Sequence, residues 1–83
     1  MSDDLIQRVL KTIAEAQRLP LEQVTLDSTF EGLGIDSMDG VNILFALENE
    51  FDISIPDEAA RGIRTVKEMA EGVDKLVTAK VTN

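Results

Sequence analysis

The chain has 83 residues, enough for one small domain. It holds no cysteine and no histidine, which excludes disulfides, thiolate metal sites and the commonest general base near neutral pH. The formal net charge is −8, and from Leu19 to Ala60 there are ten carboxylates and no lysine or arginine. Such a field repels phosphate backbones, and three phenylalanines offer little for bases to stack on, so nucleic acid is excluded as a partner. The same field attracts a basic protein surface, and its self-repulsion predicts stability that rises with ionic strength. No apolar run reaches the roughly 18 residues of a membrane span. Met1-Ser2-Asp3-Asp4 is acidic and lacks the apolar stretch of a signal peptide, so a cytoplasmic monomer is expected.

Ser2 or Asp3 can cap a first helix over about residues 3–18, because Leu5, Ile6, Val9, Leu10 and Ile13 recur at helical spacing. Pro20 is expected to end it. Residues 19–36 form a long loop by composition, yet Leu21, Val24, Leu26, Phe30, Leu33 and Ile35 predict that it lies across the core. A second helix starts at Asp36 or Ser37 and runs to about Phe51. At about 100° per residue, Ile43, Leu44, Leu47 and Phe51 share one side, and Met38, Val41 and Phe45 share the opposite side. The first group is expected to face the core. The second then faces outward among acids, as a contact surface would, unless the helix is buried on both sides.

Ile53–Ile55 can be extended, and Pro56-Asp57-Glu58 opens a short helical turn. Thr65 and Glu68 have the spacing of a capping box. Val66, Met69, Ala70, Val73, Leu76 and Val77 then give the last amphipathic helix. Residues 78–83 are expected to fray. The expected fold is all-α: a four-helix bundle of three main helices and one short one, with a long ordered first loop. It is one domain over 1–83 with a core at about 3–77.

No catalytic constellation is present. Ser37 has acids, not a base, beside it. Asp27, Thr29, Glu31 and Gly32 match the start of a calcium loop, but Met38 stands where the bidentate glutamate belongs, so no metal site is assigned. Ser37 has two readings. Its hydroxyl can cap the second helix, or it can project as an attachment point. Asp36 can cap equally well, which would leave the Ser37 hydroxyl free. If Ser37 only caps, the chain is an unmodified acidic adaptor.

Leu33-Gly34-Ile35-Asp36-Ser37-Met38-Asp39 resembles the attachment site of acyl carrier proteins. The likeness continues through Phe45-Ala46-Leu47-Glu48-Asn49-Glu50-Phe51 and Ile55-Pro56-Asp57-Glu58 to Thr65-Val66, and covers about residues 3–77. It implies a 4′-phosphopantetheine on Ser37, preceded by Asp36 and attached by a carrier-protein synthase. It implies a non-enzymatic carrier whose acyl chain, held as a thioester, is delivered to fatty-acid, lipid or polyketide-type enzymes. Met38, Asp39, Val41, Phe45 and Glu48 are the positions matching the docking face for enzymes with basic patches. Ile43, Leu47, Phe51, Ile63 and Ala70 would line the acyl space. The chain departs from the family pattern at Met38, Gly40, Asn42, Phe45 and Asn49. These departures suggest a carrier specialised for a dedicated pathway, with Gly40 leaving room for a long or unusual chain.

Overall fold

The Ser2 hydroxyl accepts the amide of Leu5 at 3.1 Å and opens the first helix, α1, over Asp3–Gln17. Asp3 and Asp4 in its first turn suit the positive end of the helix dipole. Seen in a computed structural model that describes residues 1–81, the chain continues through α2 (Ser37–Phe51), α3 (Asp57–Arg61) and α4 (Val66–Val81). Three long helices and one short one make the all-α bundle expected from the sequence.

α1 stops before Pro20. Arg18 turns left-handed at φ 55°, and the amides of Arg18 and Leu19 bond back to the carbonyls of Glu15 and Ala14 at 3.3 and 2.9 Å. That pairing is a Schellman motif, and Pro20 follows it where the chain cannot continue as helix. α2 ends the same way. Asp52 is left-handed at φ 55°, and the amides of Asp52 and Ile53 both return to the Glu48 carbonyl.

Val9, Ile13, Ile43, Leu47, Val66, Ala70 and Val73 are wholly or almost wholly buried where α1, α2 and α4 meet. Each large side chain so buried contributes about 1.5–3 kcal/mol relative to exposure. The long loop crosses this core: Val24 and Ile35 are buried, and Leu26, Phe30 and Leu33 are half-buried. Leu21 departs from that expectation. It sits on a single 3-10 turn, Leu21–Gln23, and is exposed, because the tight turn points it away from the bundle.

The loop is fastened to the α3–α4 connection. The Phe30 amide donates to the Arg64 carbonyl at 3.0 Å, Val66 to Ser28 at 3.0 Å, and Lys67 to Leu26 at 3.1 Å. Thr29 and Thr65 form an isolated bridge there. In the connection from α2 to α3, Ile53 and Ile55 pack half-buried against the core.

The capping box forms. Glu68 Oε1 accepts from the amides of Arg64 and Thr65, and the Glu68 amide donates to Thr65 Oγ1, each at 3.1 Å. α4 then runs to Val81, where fraying from residue 78 was expected. Lys80 explains the extension. Its ammonium donates to the Asp52 carbonyl at 3.0 Å and to its carboxylate at 2.7 Å, tying the last turn of α4 to the end of α2. Thr82 and Asn83, also part of the expected frayed tail, lie outside the described residues.

Candidate functional site

The loop enters α2 through Gly34, whose φ of 76° lies in the left-handed region that favours glycine. Ile35 is buried next to it and anchors the entry, its amide bonded to the Phe30 carbonyl at 2.9 Å. Asp36 is extended, and its Oδ1 accepts the Asp39 amide at 2.9 Å. The cap is therefore Asp36. Ser37 is the first residue of the helix and exposed, and its hydroxyl makes no hydrogen bond among the described residues.

Beside Ser37 lies a cleft of about 470 Å³ between α2 and α3. Its apolar wall includes Phe30, Ile35, Ile43, Leu44, Ile63 and Met69, and Gly40 and Val41 line its α2 edge. A second cleft of about 500 Å³ lies between α3 and α4. Ile63 and Met69 line both, so they form the partition between the two spaces.

Of the five residues suggested for the acyl space, Ile43 and Ile63 line the cleft at Ser37. Leu47, Phe51 and Ala70 do not; they are packed into the closed core, with Leu47 and Ala70 fully buried. Phe30 and Ile35 were not assigned to this space from the sequence. Their signal was present, since both are apolar residues in a loop read as crossing the core. Arg61, at the end of α3, also lines the cleft, where it is the one base beside two acids, Asp36 and Asp57. Its sequence signal was its place as the first base after the acidic window.

On the outer side of α2, Met38 is 78 % exposed, Phe45 59 % and Val41 47 %. Asp39 is half-exposed near them at the start of the helix. Glu48 differs from its neighbours. It is half-buried, and its carboxylate accepts the Ile55 amide at 2.8 Å, so it holds the α2–α3 connection. Elsewhere, the hydrogen bond from Lys80, aided by its charge, holds the Asp52 carboxyl below the usual range. Glu68 is lowered chiefly by the backbone amide of Arg64, then by that of Thr65. In the segment aligned with a calcium loop, Thr29 Oγ1 accepts the Gly32 amide at 2.9 Å; among the described residues no three or more of His, Cys, Asp or Glu are grouped so as to hold a metal ion.

Comparison with known proteins agrees with this geometry. The family model described as the phosphopantetheine attachment site matches residues 7–73. An acyl carrier protein of Prochlorococcus marinus (strain MIT 9515) is 40 % identical over 73 residues, covering 87 % of this chain and 91 % of the relative. The crystal structure of an acyl carrier protein from Thermotoga maritima superposes with a TM-score of 0.80 at 33 % identity, over 92 % of this chain and 89 % of that one. The solution structure of the 3,7-dioxo-octyl actinorhodin acyl carrier protein from Streptomyces coelicolor gives 0.69 at 26 % identity, over 96 % and 93 %. With the match spanning loop, attachment helix and α4, the chain belongs to the acyl carrier protein family: it carries acyl chains by means of phosphopantetheine and is not an enzyme.

Proposed function

We propose that Ser37 is the residue that bears the 4′-phosphopantetheine, as a phosphodiester through its Oγ. One observation carries this reading. Ser37 is exposed at the first position of α2 with its hydroxyl unengaged, because Asp36 caps the helix in its place. The residues fit the group. The serine stands at the mouth of a cleft with a largely apolar lining, next to free space for an arm and its cargo. The prosthetic group supplies the thiol that this cysteine-free chain lacks. Ile43, Leu44, Ile63 and Met69 shelter an acyl chain from water.

Met38, Val41 and Phe45 form the apolar centre of the docking face, with Asp36 and Asp39 meeting the basic patches of the carrier-protein synthase and of acyl-transfer and synthase enzymes. The carrier works as a cytoplasmic monomer in fatty-acid, lipid or polyketide-type biosynthesis. Gly40, Asn42 and Phe45 support a dedicated pathway over general fatty-acid elongation. Equal turnover with general elongation enzymes would remove that last reading.

The test of attachment is intact mass after co-expression with a competent carrier-protein synthase. The expected result is a gain of one phosphopantetheine in the wild type and none in Ser37→Ala. A wild-type chain that stays unmodified would return the protein to an acidic adaptor in which Ser37 carries nothing.

A further inference from the structure

We infer that Arg61 is a positioning residue for the prosthetic group: its guanidinium pairs with the phosphodiester on Ser37 from the opposite lip of the cleft. This rests on the reading of Ser37 as the attachment residue.

The reasoning begins with charge. A phosphodiester on Ser37 is an anion placed between the carboxylates of Asp36 and Asp39, with Asp57 across the same cleft. The α2 dipole offsets part of that repulsion, since the phosphodiester sits at the positive end of the helix. A side chain can supply a further offset, and the window from Leu19 to Ala60 has no base to do so. Arg61 is the first base after that window, and it lines the cleft together with Ser37 and Asp36.

Arg61 is also available. Arg8 and Lys80 are engaged in ion pairs with Glu50 and Asp52 at 3.0 and 2.7 Å. Arg61 makes no ion pair among the described residues, although Asp57 lies one helical turn before it on α3. Placement in the last turn of α3 suits a cation by the helix dipole alone. That effect accounts for a base at this end of the helix, and lysine would serve it equally. Guanidinium adds the planar fork that matches two phosphate oxygens at once. The pairing would draw the linkage toward α3 and direct the arm over the cleft rather than away along the outer face of α2.

The experiment is phosphorus and arginine side-chain nitrogen NMR on the loaded full-length protein at low salt. Loading is first verified by mass; no mass gain removes the attachment reading and this inference with it. In loaded wild type, the Arg61 Nε–H signal is expected to move relative to the unloaded protein, while that of Arg64 stays. The phosphorus resonance is expected to shift in Arg61→Gln, to lie between the two in Arg61→Lys, and to stay in place in Arg64→Gln. A loaded protein whose Arg61 Nε–H signal does not move on loading overturns the inference and leaves the attachment reading standing. That wild-type readout decides the matter even if a variant fails to fold. An unchanged phosphorus resonance in folded Arg61→Gln overturns it as well.

Discussion

The Glu48 carboxylate accepts the amide of Ile55 at 2.8 Å, and through that bond the far half of α2 holds the segment that leads into α3. α3 has only five residues and no side-chain cap, so little of its own structure fixes its position. The wall of the Ser37 cleft on the α3 side therefore depends on connections at both of its ends. Glu48 secures the entry; at the exit the Phe30 amide donates to the Arg64 carbonyl and the Arg64 amide donates to Glu68 Oε1. Replacing Glu48 by alanine is expected to cost about 1–2 kcal/mol, as for loss of a part-buried hydrogen bond to a charged group. Urea unfolding measures it. Amide exchange in 53–63 is expected to speed up more than in α1.

Gly40 lies inside α2 at the edge of the cleft, and a Cβ built there meets nothing within 4 Å. Two effects follow from one methyl. Gly40→Ala is expected to raise stability by about 1 kcal/mol through helix propensity. It also takes space from the cleft, so a long thioester chain is expected to be less sheltered and to hydrolyse faster than in the wild type. A variant that is stabilised with unchanged hydrolysis would show that position 40 does not bound the acyl space.

Phe45 is 59 % exposed, so its loss leaves the core intact. Phe45→Ala is expected to change stability by no more than about 0.5 kcal/mol. Its affinity for a partner enzyme is expected to fall on the order of tenfold, as for a central aromatic at an interface. Titration of the loaded carrier against such an enzyme, beside a thermal melt, separates the two effects.

Asp52 and Glu68 predict a pH dependence with a definite sign. Both carboxyls lie below their ordinary range in the fold, Asp52 chiefly through its hydrogen bond to Lys80 and Glu68 chiefly through the Arg64 amide. Folding thus favours the ionised forms. Their stabilisation is fully present at neutral pH and is lost as pH falls through about 4 and below. The thermal midpoint of the wild type is expected to fall more between pH 6 and pH 3 than that of the Asp52→Asn, Glu68→Gln double variant. Protonation of the other acids affects both proteins alike, so the difference in slope is the readout. Parallel curves would contradict it.

Much of the fold was legible because its causes are local. The helical spacing of Val9 and Ile13, the Thr65–Glu68 box and the two faces of α2 each follow from side chains within a few turns of one another. The start of α2 was legible down to two candidate caps, Asp36 and Ser37, and the structure chose Asp36. What the sequence left open has a different cause. Fraying was expected from residue 78 because nothing local holds the end of α4; Lys80 reaches Asp52, 28 residues away in sequence. Leu47, Phe51 and Ala70 have the apolar character of an acyl wall, and in this structure they lie in the packed core rather than along the cleft at Ser37. Which apolar side chains close on one another and which border a space depends on how α2, α3 and α4 meet.

The sequence by itself determined the helices, the two candidate caps of α2, the acidic field and the family. Propensity, spacing and charge are properties of neighbouring residues, and they survive without a fold. Only the tertiary structure decided that Ser37 borders a cleft and that Arg61, from α3, lines the same cleft. Those relations join segments far apart in sequence, and packing alone brings them together.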